Sequence, residues 1–178
     1  RPISEAKQLA PYKADLSFMG AGYPNRKSVF SELLGYDLKI WGTEWDLDSP
    51  LGRRVQQEGR RVSTEETALI FNAAAININL HSSVFTTALD PDGAFVNPRT
   101  FEVASCGAFQ LLDRRRLLSR HFEIDREMIV FDDVDELKTK IDFYLARPEL
   151  RSEIASRARL RVLAEHTYEH RSSEERRV

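Results

Sequence analysis

Short apolar runs alternate with stretches of helical period along this chain, and that alternation constrains the fold more than any other feature of the sequence. The runs Asp15–Met19, Asp37–Trp41, Ala75–Leu80, Ala108–Leu112 and Met128–Phe131 carry branched and aromatic residues and read as strands. Between or after them, Arg26–Leu34, Glu65–Ala73, Arg99–Ser105 and Val134–Ala146 read as helices, and a last helix spans Glu149–Glu169 behind Pro148. A very short strand is also expected at Arg61–Ser63, with Glu65 and Glu66 favouring the helix start that follows; Thr64 and Thr67 miss the spacing of a capping box. Strand followed by helix, repeated, predicts a parallel sheet covered on both faces, a Rossmann-like three-layer α/β/α sandwich.

The 178 residues suit one domain over 15–171, with 1–14 as a lead-in or linker and 172–178 as a tail. Hydrophobic residues at 42% and charged residues at 30% exclude a wholly disordered chain. A net charge of −2 argues against nucleic acid as partner, and Arg114–Arg116 reads as a solvated face. No apolar stretch approaches the roughly 20 residues that a membrane span requires. The lone Cys106 offers no internal disulfide and no zinc-ligand spacing, which fits the reducing cytoplasm. A chain that begins at Arg1 reads as a piece of a longer protein.

In a parallel sheet of this kind, ligands bind at the carboxyl ends of the strands. The loop Gly20–Arg26 sets two glycines after a strand and a guanidinium at a helix start, an arrangement chemically suited to a diphosphate. A plain tight glycine turn is the competing account. Gly20 and Gly22 lack the third glycine of the dinucleotide fingerprint, and no acidic residue clearly ends the second strand, so a nicotinamide cofactor is disfavoured. The second candidate region is Asn97–Gly107. There Asn97, Arg99, Thr100, Phe101 and Glu102 open a helix, and Glu102 could accept from ribose hydroxyls or simply favour the helix dipole. His81, just after a strand, could donate to a phosphate or sugar, or be packed.

Taken together, Asp15–Arg26, Leu38–Gly42, Asn77–His81, Asn97–Leu112, Phe131–Leu137 and His166–Arg171 resemble the CgeB-like group of glycosyltransferases, over most of the chain. The resemblance implies the C-terminal half of a GT-B fold, which binds a nucleotide-diphosphate sugar while a missing N-terminal domain holds the acceptor. It implies no cofactor beyond that donor and no catalytic metal, with arginine and helix-start amides offsetting the leaving diphosphate. Glu102 then corresponds to the second glutamate of a Glu-x7-Glu motif, on the ribose; the first falls at Ala94. Arg26, with Gly20 and Gly22, corresponds to the diphosphate contact, and Asn97 or Arg99 to contacts otherwise made by the absent acid. A nucleotide-binding or interaction module without catalytic activity is the alternative.

Overall fold

A computed structural model describes residues 6–165. The last four residues of the final expected helix, the motif His166–Arg171 and the tail 172–178 lie outside the described residues.

Five strands, β1 (Ala14–Met19), β2 (Leu38–Trp41), β3 (Ala74–Asn79), β4 (Gln110–Asp113) and β5 (Ile129–Phe131), form one parallel sheet in the order β2-β1-β3-β4-β5. Helices α2 (Pro24–Ser31), α3 (Thr64–Ala73), α4 (Pro98–Ser105), α5 (Val134–Leu145) and α6 (Pro148–Glu165) surround it. The lead-in supplies a single helical turn, α1 (Ala6–Leu9), and a 3-10 turn, from which Tyr12 places its ring 6.5 Å from that of Trp41.

Alternation within the strands sorts side chains between two layers. Leu16, Phe18, Ile76, Ile78, Phe109 and Leu111 point to one face, where they pack with Val29, Phe30 and Leu33 around α2 and Leu137, Ile141 and Tyr144 of α5. The opposite face meets Ile70 and Phe71 of α3 and Val103 of α4. Helix α6 joins both: Ile154 and Ala155 belong to the first core, whereas Ala158 and Val162 pack with Phe101, Leu112 and Val130.

The second face also carries a buried polar row. Ser17 Oγ donates to Asn77 Oδ1 at 2.7 Å, and Asn77 Nδ2 donates to the carbonyls of Phe71 and Phe109. Asn79 Nδ2 donates to Gln110 Oε1 and Thr100 Oγ1, both at 3.1 Å. Each amide is satisfied by hydrogen bonding, as burial requires.

Local chemistry explains where the elements start and stop. Pro24 opens α2 two residues earlier than the apolar period suggests, its fixed φ suiting the first helical turn. Helix α3 begins with a capping box after all: the cap is Ser63, whose side chain accepts from the Glu66 N–H while Glu66 accepts from the Ser63 N–H. Gly107, at φ +69°, stops α4 and donates to the Ala104 carbonyl. The expected strand at Arg61–Ser63 is not formed. The chain instead meets the sheet edge at Val55, which bridges Ile40, and the Gln56 N–H donates to the Ile40 carbonyl at 2.8 Å. Among the described residues no helix is long and apolar enough to cross a membrane.

Candidate functional site

The strand order fixes where a ligand can enter. The chain leaves β1 toward β2 on one side, then returns past β1 to β3 on the other, so the loops after β1 and β3 diverge and open a crevice at their carboxyl ends. The loop after β1 holds Gly20, Gly22 and Arg26. The one after β3 begins at His81 and runs to Asn97, the cap of α4.

The two glycines answer to the chain's own loop after β2. Gly20 and Gly22 donate to the carbonyls of Trp41 and Thr43 at 2.9 Å, and Trp45 Nε1 donates back to the Gly20 carbonyl at 3.0 Å. A Cβ on Gly22 would stand 2.5 Å from the Glu44 carbonyl oxygen, a separation that real contacts do not reach. Close backbone approach is therefore required here, and residues 42–45 supply it.

Arg26 spans the crevice. Its Nε and Nη2 donate to the Leu80 carbonyl at 3.1 and 2.8 Å, its Nη1 donates to the Ala21 carbonyl at 3.1 Å, and it lies over the rings of Phe18 and Tyr23. No carboxylate among the described residues forms an ion pair with it. Burial pulls the guanidinium down to about 10, Tyr23 and Asp113 oppose that, and the charge of Arg99 adds to it. It stays cationic at neutral pH, with two of its five N–H donors uncommitted.

Arg99 is the second desolvated cation, lowered by burial and partly restored by Glu102. Its Nη1 lies 2.7 Å from Glu102 Oε2, and its guanidinium covers the Phe71 ring at 5.4 Å. This pair lines a groove of about 490 Å³ between α3 and α4, bounded also by Val62, Thr64 and Thr67. The Glu102 side chain remains 45% exposed and so accessible to a ligand.

Beneath the crevice runs a network that sequence reasoning missed. Asp113, at the end of β4, accepts from the backbone N–H of His81 at 2.9 Å and meets His81 Nδ1 at 2.7 Å, while its other oxygen accepts from Arg115 Nε and Nη2. His81 Nε2 accepts from the Asn97 N–H at 2.9 Å. A backbone N–H can only donate, so Nε2 is unprotonated and Nδ1 carries the proton toward Asp113. Both ring nitrogens of His81 are thereby engaged, and the side chain is buried.

The structure thus divides the expected site residues. Arg26 lies at the crevice and feels the charge of Arg99, while Arg99 and Glu102 line the groove between α3 and α4. His81 is a buried tie between β3, β4 and α4, with no free ring nitrogen. Asn97 is likewise committed: its Oδ1 accepts from the Thr100 N–H and hydroxyl, and its Nδ2 donates to Asn79. Thr100 is fully buried against Asn79, and Phe101 packs in the core beside Phe122. Gly20 and Gly22 shape the loop. The chain contains Asp-x-Asp triplets at Asp46–Asp48, Asp90–Asp92 and Asp133–Asp135, yet no group of three or more metal-ligating side chains gathers among the described residues.

Comparison with known proteins agrees with this architecture. A family described as glycosyl transferase-like matches residues 26–175. The spore protein CgeB of Bacillus subtilis is 31% identical over 82% of this chain and 47% of its own length. Among solved structures, sucrose-phosphate synthase from Thermosynechococcus elongatus superposes with a TM-score of 0.70 at 18% identity, covering 99% of this chain and 48% of that one. Anabaena HepE in complex with UDP-glucose gives 0.65 at 13% identity, covering 90% and 49%. The C-terminal domain of a group 1 glycosyl transferase from Francisella tularensis gives 0.64 at 13% identity, covering 94% of this chain and 95% of that domain. The structural likenesses establish the fold, that of one half of a GT-B enzyme, and the chain spans about half the length of the curated relative it matches.

The chain belongs to the glycosyl transferase-like family.

Proposed function

We propose that this glycosyl transferase-like chain is the donor-binding half of its enzyme, holding a nucleotide-diphosphate sugar for transfer to an acceptor carried by a separate N-terminal domain. One observation carries the reading: Arg26 at the crevice and Arg99 close enough to influence it are both desolvated cations, and Arg26 forms no ion pair with a carboxylate among the described residues. A desolvated cation without an ion-pair partner is costly, and an anionic ligand reduces that cost. A diphosphate has the right charge and suits guanidinium geometry.

The division of labour follows from the residues. Arg26 directs its remaining N–H donors to the diphosphate, where charge accumulates as the sugar departs. Glu102, held by Arg99, accepts from the ribose hydroxyls, and the groove between α3 and α4 receives the nucleoside. Cationic side chains supply the charge stabilisation that a metal provides elsewhere, so transfer proceeds without a bound metal. A uracil nucleotide is the first donor to test, because HepE is seen with UDP-glucose. The single, buried Cys106 suits a cytoplasmic enzyme.

Calorimetric titration with UDP, UDP-glucose, uridine and NAD tests the reading. UDP and UDP-glucose should bind, uridine much more weakly, and NAD not at all. Transfer assays should find the 178-residue chain inactive and the two-domain protein active, because orientation of both reactants supplies much of the rate. Failure of every nucleoside diphosphate and nucleotide sugar to bind would overturn the assignment.

A further inference from the structure

We propose that Phe95 is a specificity-determining platform on which the C–H face of the donor's sugar ring rests, an inference that builds on the donor-site reading above. Phe95 is a large apolar side chain left 69% exposed at the mouth of the crevice. Isolated exposed apolar residues are common, so exposure alone carries no function. What distinguishes Phe95 is that its backbone is pinned on both sides. Two residues before it, the Gly93 carbonyl accepts from the Arg116 N–H at 3.0 Å; two residues after it, the Asn97 N–H donates to His81 Nε2 at 2.9 Å. Its ring stands edge-on to the buried His81 imidazole, with centroids 6.2 Å apart and an interplanar angle of 88°. Since both nitrogens of that imidazole are engaged, the surface under Phe95 is itself fixed.

Position supplies the second half of the argument. Arg26 is anchored on the Leu80 carbonyl, and Phe95 on the ring of the next residue, His81. Adjacent residues are only about 3.8 Å apart along the chain. Arg26 and Phe95 are therefore both held at the carboxyl end of β3, and we set the sugar of a diphosphate bound at Arg26 against the aromatic ring. A pyranose ring presents C–H groups on one face, and the electron-rich face of a phenyl ring attracts their polarised hydrogens. A pre-positioned aromatic side chain offers this contact at little cost in conformational entropy.

The contact involves the sugar and not the nucleotide, which makes it separable. Kd values for UDP and UDP-glucose should be measured on the wild-type chain and on Phe95→Ala, Phe95→Leu, Phe95→Trp and Phe85→Ala. Phe85 lies on the same loop and is 97% exposed, so its variant reports on general loop disturbance. In Phe95→Ala and Phe95→Leu, the ratio of the UDP-glucose Kd to the UDP Kd should rise about threefold to tenfold, the scale of one aromatic contact, with the UDP Kd unchanged. Phe95→Trp should keep the wild-type ratio, as should Phe85→Ala. An unchanged ratio in Phe95→Ala, or an equal rise in Phe85→Ala, would overturn the platform while leaving the donor site standing. If neither ligand binds, the same ratio is read with the nucleoside diphosphate and nucleotide sugar that do bind, and failure of every such pair to bind the wild-type chain would overturn the donor-site reading and the platform with it.

Discussion

The His81 imidazole and the Asp113 carboxylate meet at 2.7 Å inside the protein, with both side chains almost wholly removed from solvent. The same carboxylate also satisfies the His81 backbone and the Arg115 guanidinium, so one acidic residue aligns the ends of β3 and β4 beneath the crevice. Asp113→Asn replaces an acceptor oxygen with an NH2 group facing N–H donors and leaves buried Arg115 only the more distant, solvent-exposed Asp90 carboxylate, 3.6 Å from its Nη1. The variant should lose about 3 kcal/mol or more of stability, measured by urea denaturation. A loss below about 1 kcal/mol would show that the network is not structurally required.

Arg26→Ala should weaken UDP binding at least about tenfold, the scale of lost charge-assisted hydrogen bonds, while uridine affinity changes little. Because Arg26 also ties Leu80 to Ala21, the uridine titration guards against a general loss of site structure. Equal losses for both ligands would remove Arg26 from the diphosphate.

Glu102→Gln tests the ribose contact. Its partner Arg99 sits three residues away on the same helix, and the carboxylate is half exposed, so stability should fall by less than about 1 kcal/mol. Nucleotide affinity should fall by about 1–3 kcal/mol by calorimetry, since a neutral amide is the poorer acceptor. Unchanged affinity would assign Glu102 to the helix alone.

Gly22→Ala would drive a methyl group into the Glu44 carbonyl and the Trp45 ring. Thermal unfolding should show a destabilisation of about 1–3 kcal/mol, typical of overpacking, whether or not nucleotide is present. A variant as stable as wild type but unable to bind UDP would instead return Gly22 to the phosphate site.

The start of α3 should be acid-sensitive. Hydrogen bonds from Arg60, then from the Ser63 backbone and Gln57, hold the Glu66 carboxyl down to about 2. A depressed carboxylate stabilises the fold fully above its unfolded value near 4.3, and that contribution disappears as pH falls from there through about 2. Wild type should therefore exceed Glu66→Gln in stability at pH 7, with the gap closing between pH 4.5 and 2 in urea titrations. A gap independent of pH would mean that the ionised carboxylate is not what caps the helix.

The layered fold was legible because its signals are local. Alternation placed all five strands within about two residues, and periodicity placed five helices. The false strand at Arg61–Ser63 rested on little beyond Val62, and the Ser-x-x-Glu spacing of Ser63 and Glu66 is overlooked when the cap is sought at Thr64. Site roles depended on distant partners. Gly22 serves Glu44, 22 residues further along the chain, and Asp113 serves His81 across 32 residues. Neither relationship has a spacing rule. For Arg26, Arg99 and Glu102, the sequence offered helix starts at strand ends, and the structure adds that both cations are desolvated. Asn77 and Asn79 in a strand expected to be buried were the available hint of the polar row.

That row has a consequence for how the sheet assembles. Ser17, Asn77, Asn79 and Gln110 can satisfy one another only when β1, β3 and β4 align as Ser17 beside Asn77 and Asn77 beside Gln110. A shift of one residue would carry amides to the aliphatic side of the sheet, where nothing can accept their protons. An all-aliphatic sheet would tolerate such a misalignment more readily. The polar row therefore makes every other alignment of these strands costly, so that the one register on which the crevice loops depend is the favoured one.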